Sequence, residues 1–121
     1  MGRFRLSRPA HADLEQILVT SGERWGDEAR RRYAGLLVTA MRKIADDPEG
    51  PVTRNREDLL PGIRSLHLRH LRQDRPRSVG EPVHVIYYRA IQAEVIEIVR
   101  VLHERMDPSR HIGAVHGEPE E

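Results

Sequence analysis

The side chains with the most chemistry to offer are histidines and arginines. The histidines are His11, His67, His70, His84, His103, His111 and His116. His67 and His70 stand three apart in a segment that alternates like a strand, so they point to opposite faces. No HxH pair and no HExxH motif occurs, and those are the spacings that put two imidazoles on one metal, so no metal site is expected. Cysteine is absent, which excludes thiolate ligands, disulfides and a cysteine nucleophile together. Nothing calls for a cofactor. The arginines concentrate between Arg54 and Arg77, where Arg56, Arg64, Arg69, Arg72 and Arg75 also stand against only Glu57, Asp58 and Asp74. Such a stretch suits nucleic-acid phosphates or an acidic protein surface; the blander reading is a solvated strand edge guarded by charge. A third cluster is Arg100-Val101-Leu102-His103-Glu104-Arg105. There His103 could serve as general acid–base, with Arg100 or Arg105 stabilising a phosphorane, the minimum for RNA cleavage through a 2′-hydroxyl. Glu57, Tyr87 or Tyr88 could complete that set, and the plain alternative is local hydrogen bonding at a strand end.

The chain that must position these groups has 121 residues and a mass of 14.0 kDa, which suits one compact domain. Basic residues number 20 and acidic ones 19, a net charge of +1, too small for a purely electrostatic nucleic-acid binder. Glu118, Glu120 and Glu121 lie in a Gly/Pro-punctuated tail, so the remaining chain is more basic than that net value suggests. Lys43 is the only lysine, which nearly excludes a lysine proton shuttle. No apolar run approaches the ~18 residues of a membrane span, and the first residues lead into no signal-peptide core. The expected location is cytoplasmic, with no membrane contact. Aromatic residues are 4% of the chain, which argues against a base-stacking surface.

Periodicity then assigns the elements. Phe4-Arg5-Leu6-Ser7 alternates and reads as a first strand, and Ser7 suits an N-cap with Pro9 in the first turn. Ala10, Leu14, Ile17, Leu18 and Trp25 mark the apolar face of a helix over about residues 9–24. Asp27 is predicted to cap a second helix whose buried face is Ala29, Tyr33, Leu36, Leu37, Ala40, Met41 and Ile44, with Asp27–Arg31 and Glu28–Arg32 pairs outside. Asp46 to Pro51 stops it. Ile63 to His70, Val83 to Arg89 and Val95 to Leu102 read as strands, the last two joined through Ala90–Glu94. The polar, proline-bearing stretch before Val83 reads as a loop over about 71–82. Tyr33, Tyr87, Tyr88 and Trp25 are expected in the core. The result is an α+β fold, a βααβββ layer sandwich in which a helical hairpin packs on one face of a small, largely antiparallel sheet.

Several short motifs occur in a telling order. They are Leu6-Ser7, Ala10-x-x-Asp13-Leu14-x-x-Ile17, Trp25-Gly26-x-x-Ala29-x-x-x-Tyr33, Pro48-x-Gly50 and Pro61-Gly62-Ile63-Arg64. Val85-Ile86-Tyr87-Tyr88-Arg89, Ile96-x-Ile98-x-Arg100-Val101-Leu102-His103 and Met106-Asp107…Arg110-His111-Ile112 follow. Over residues 4–112 this order resembles the ParE branch of the RelE/ParE superfamily, toxins of bacterial type II toxin–antitoxin modules. The resemblance implies a toxin domain over 1–112 followed by a flexible acidic tail, 113–121. It implies a poison of DNA gyrase acting by protein–protein contact, held inactive by a cognate ParD-like antitoxin in a hetero-oligomer that reaches promoter DNA only through the antitoxin. The alternative is the RelE branch, a ribosome-dependent, metal-independent mRNA endoribonuclease, whose site here would draw on His103, Arg64, Arg105, Glu57 and Arg89. The chain has no lysine within 52–64 and no tyrosine after His103, and both departures favour the gyrase branch.

Under the gyrase reading there are no catalytic residues, and the expected partner contacts are Arg64, Arg69, Arg72, Tyr88, His103, Arg105 and Arg110. A hairpin covering one sheet face is also expected to leave the other face, or an edge, open to an amphipathic, acidic partner.

Overall fold

Ser7 starts the first helix by two bonds. Its Oγ accepts from the Ala10 N–H (3.0 Å) and donates to the Val99 carbonyl (2.8 Å), tying the helix start to a central strand. In this computed structural model, which describes residues 2–71 and 81–113, the order is β1 (Arg3–Leu6), α1 (Arg8–Trp25), α2 (Asp27–Asp46), β2 (Arg54–Asn55), β3 (Arg64–His67), a 3-10 turn (Leu68–His70), β4 (His84–Gln92), β5 (Val95–His103) and a π-helical turn (Ser109–Gly113). The five strands form one mixed sheet in the order β1-β5-β4-β3-β2. β1 runs parallel to β5 (Leu6 opposite Ile98), and the other neighbours are antiparallel. A parallel neighbour needs a long crossover, and the α1–α2 hairpin lies within the one connecting β1 to the rest of the sheet.

The helix positions follow from their apolar stripes. α2 buries Leu36, Leu37, Ala40, Met41, Ile44 and Ala45 against the sheet, whereas α1 buries only Ala10 completely and half-buries Leu14, Ile17 and Leu18. Gly26 makes the hairpin possible: at φ 95° it closes α1 on the Gly22 carbonyl and opens α2. Asp27 is therefore the first helical residue rather than the cap, and no side chain caps α2. Its carboxylate still favours the helix dipole there. Asp27 pairs with Arg30 (3.6 Å) instead of Arg31, while the Glu28–Arg32 pair forms as expected (3.4 Å).

Several expectations are corrected in the sheet and the hairpin. The second expected strand ends early, at His67, because its ring accepts from the Arg69 N–H (3.1 Å) and folds the chain into a turn that buries Leu68. The two-residue strand β2 has no alternating signature of its own, and it pairs with the start of β3. The β4–β5 turn is only Ala93-Glu94, with Glu94 at φ 58°. The far sheet face is not bare. Ile63, Tyr87, Val99, Leu102 and Ile112 form a second apolar cluster there, flanked by Leu59, Leu60 and Val85. This is why β5 is buried on both faces and reads as a near-continuous apolar run. Trp25 is the clearest reversal. It is 72% exposed, because α1 ends immediately after it and leaves it at the hairpin tip, beyond the sheet. No helix among the described residues is long and apolar enough to cross a membrane.

A basic groove at the tip of the helical hairpin

Because α1 and α2 meet at Gly26, beyond the last strand residues, the sandwich opens at this end. A groove of about 970 Å³ lies between the second half of α1, the first turns of α2, the start of β4 and the end of β5. Ile17, Tyr33, Val101 and Leu102 give it apolar lining, while Trp25 and Met106 (46% exposed) stand at its mouth. Arg24, Arg32, Arg100, His84, His103 and His111 supply basic groups, against the acids Asp13 and Glu81.

Asp13 is fully employed in one wall. It accepts from Arg100 through both Nε and Nη2 (2.8 Å each) and from the Val101 N–H (3.0 Å). The pair joins α1 to β5 with both side chains about 15% exposed, and the carboxylate holds the Arg100 pKa above its ordinary value. Arg100 Nη1 also reaches the His111 carbonyl (3.4 Å), so the same guanidinium steadies the C-terminal turn.

Beside it, the Tyr33 hydroxyl and His84 Nδ1 share a 2.7 Å hydrogen bond, and the His84 ring meets His103 edge-on at 5.7 Å. Burial pushes the Tyr33 phenol up to about 12. Burial, followed by the proximity of His103 and then His67, pushes His84 down to about 4, so His84 is neutral at physiological pH. His103 Nδ1 accepts from the Arg105 N–H (3.1 Å). On the far side His67 has both nitrogens engaged, Nδ1 by the Arg69 N–H and Nε2 by Glu104 Oε1 (2.7 Å), and the imidazole lowers the Glu104 pKa.

Of the described residues singled out from sequence for cleavage or partner contact, His103 and Arg100 line this groove, and Arg100 is committed to Asp13. Arg105 follows it in the exposed turn after β5, and Arg110 is 82% exposed in the C-terminal turn, 3.9 Å from Asp107. Arg69 is exposed in the turn after β3. Arg64 is turned into the structure, donating to the Pro48 carbonyl (3.2 Å) and Thr53 Oγ1 (2.8 Å). Tyr88 is 1% exposed in the main core with its hydroxyl on the same Pro48 carbonyl, so it offers no surface to a partner. Arg72 and most of the 71–82 loop lie outside the described residues, as does the acidic stretch after Gly113. Glu57 is exposed in the loop after β2, and Arg89 pairs with Glu97 (3.1 Å).

The set that RNA cleavage would require is therefore spread out. Arg89 lies five residues along β4 from His84, the partner of His103, about 17 Å at the rise of a strand. Sequence reading quoted Asp13 as a motif position without its pairing to Arg100, and it missed the Tyr33–His84 pair and the groove itself. One signal was available: Asp13 sits three residues after Ala10 and four before Ile17, a carboxylate inside an apolar stripe.

The two-layer architecture defines a small α+β protein of ParE-like fold. It superposes with a TM-score of 0.61 on a solved structure described as the chromosomal ParDE TA system from P. aeruginosa, at 18% identity, covering 85% of this chain and 95% of that one. The particular family follows from sequence comparison. Residues 4–108 match the family described as the ParE toxin of type II toxin-antitoxin system, parDE, and the chain belongs to that family. It is 33% identical over 110 residues to Toxin ParE1 of Mycobacterium tuberculosis, covering 91% of this chain and 97% of the relative. To Toxin ParE1 of Caulobacter vibrioides it is 34% identical over 113 residues, covering 93% and 100%. The chain is a ParE toxin of a type II toxin–antitoxin system.

Proposed function

We propose that this toxin acts in the cytoplasm by binding DNA gyrase and blocking it through protein–protein contact, and that a ParD-like antitoxin silences it in a hetero-oligomer. Promoter DNA is contacted only through the antitoxin. The family match across nearly the whole chain carries this reading. The structure supports it through what the candidate groups are doing. Arg64 is committed to the Pro48–Thr53 loop, Arg89 to Glu97 and both nitrogens of His67 to neighbours, so these groups brace the fold. The groove joins apolar lining to basic walls, the composition of a surface that receives an amphipathic, acidic segment.

The test induces the chain alone in a bacterial host and follows labelled thymidine and methionine incorporation over the first minutes. DNA synthesis falling first, with inhibition of supercoiling by purified gyrase and rescue by the antitoxin encoded beside the toxin gene, is the expected result. Protein synthesis falling first, abolished by His103→Ala without loss of fold, would replace the gyrase reading with mRNA cleavage.

A further inference from the structure

Large exposed apolar side chains are unevenly placed. Among the described residues they are Val19, Trp25, Val38, Val52 and Met106, and of these only Trp25 and Met106 line the groove. They come from opposite sides of it, Trp25 from the tip of the hairpin and Met106 from the turn after β5. A tryptophan left 72% in water contributes little to folding and keeps a large apolar area that a partner can bury, since an indole offers more of it than any other side chain. The charge beside it is complementary to an acid. Arg24 precedes Trp25 on α1, and Arg32 lines the same groove from the second turn of α2. The Nε of Arg32 is buried and has no hydrogen-bond acceptor among the described residues, while Nη1 is 3.4 Å from Glu28. Asp13 offers no relief, because Arg100 and the Val101 N–H already use it. A buried cationic donor with no acceptor is a conformation that a carboxylate entering the groove would improve on.

We infer that the mouth of this groove is the anchor site for the antitoxin, with Trp25 and Met106 gripping an apolar side chain of an amphipathic segment and Arg32 swinging out to pair with an acidic residue on its flank. The inference rests on the antitoxin reading above and adds the place and the chemistry of the contact. Trp25 is the binding hot spot: an aromatic that loses its water when the partner covers it, flanked by arginine, is the kind of centre that dominates an interface. Val19, Val38 and Val52 lie off the groove and contribute little.

The chain has one tryptophan, so Trp25 reports on its own environment. The experiment titrates the full-length toxin with the antitoxin encoded beside its gene, prepared with any tryptophan replaced by phenylalanine. Trp25 emission should shift to the blue and become shielded from acrylamide. Trp25→Ala should weaken the complex about 30-fold or more with the melting temperature unchanged, as suits a residue already in water. Arg32→Gln should weaken it about tenfold and reduce its salt dependence, and Val52→Ala should leave it unaltered. If the antitoxin binds while Trp25 emission stays fixed and Trp25→Ala binds normally, the anchor is elsewhere and the inference is wrong, although the antitoxin reading stands. If the unaltered toxin binds no antitoxin at all, the functional reading falls, and the anchor with it.

Discussion

Replacing Asp13 by alanine should do more damage than its place on a half-exposed helix suggests. The carboxylate receives three hydrogen bonds, two from the Arg100 fork and one from the Val101 N–H, and both charged side chains are about 15% exposed. Removing it leaves a guanidinium beside β5 without its counter-ion and a backbone donor without an acceptor. Breaking one side of a largely buried pair costs about 3–5 kcal/mol, and the residual exposure here argues for about 3. With an unfolding entropy of about 2.1 cal/mol/K per residue, that lowers the melting temperature by about 12 °C for a chain of this length. The double replacement Asp13→Leu with Arg100→Met removes both charges and fills the same space, so it should recover to within about 1–2 kcal/mol of the parent. A double-mutant cycle read by thermal and urea unfolding measures the coupling directly. An Asp13→Ala shift below about 4 °C, or additive single and double replacements, would show that the pair is solvated and that α1 is held to β5 by packing alone. Because Arg100 Nη1 also reaches the His111 carbonyl, the single variant should lose amide-exchange protection in the C-terminal turn first.

Other expected outcomes concern pH, helix caps and turns. The His84 pKa lies near 4 in the folded protein against about 6.5 unfolded, so the unfolded chain takes up more protons between those values. Stability should be level above pH 6.5 and fall as pH drops toward 4, with His84→Phe flattening that slope in urea midpoints measured from pH 7.5 to 4.5. The lowered Asp58 and Asp107 pKa values add a further loss below pH 4, because stability held by ionised carboxylates disappears as they protonate. Ser7→Ala removes an N-cap and a bond to Val99 at once and should cost about 1–2 kcal/mol in chemical unfolding. Gly35 is exposed in mid-helix with no atom within 4 Å of a would-be Cβ, so Gly35→Ala should stabilise by up to about 1 kcal/mol, while Gly26→Ala, at φ 95°, should destabilise.

Much of this molecule was legible in one dimension. The stripe Leu36, Leu37, Ala40, Met41 and Ile44 fixed the buried face of α2, Ser7 and Pro9 fixed the start of α1, and the β-branched runs around Tyr88 and Ile98 marked the central hairpin. These are local matters: a period, a cap and a steric preference each act within a few residues. Motif order placed the chain in its family for a related reason, since a shared fold constrains the same local signals in the same succession. The site was far less legible. Arg64 read as a partner contact and Tyr88 as both core and partner contact, yet tertiary contacts spend both on the Pro48 carbonyl, sixteen and forty residues away, and only the core reading of Tyr88 holds. Trp25 read as core because apolar spacing tells which face of a helix a residue occupies but not whether a sheet lies beneath it. Only the tertiary structure decided that, by setting the hairpin tip beyond the strand ends. The same offset opened the groove, brought Asp13 against Arg100 and Tyr33 against His84, and left an indole in water where a partner can cover it.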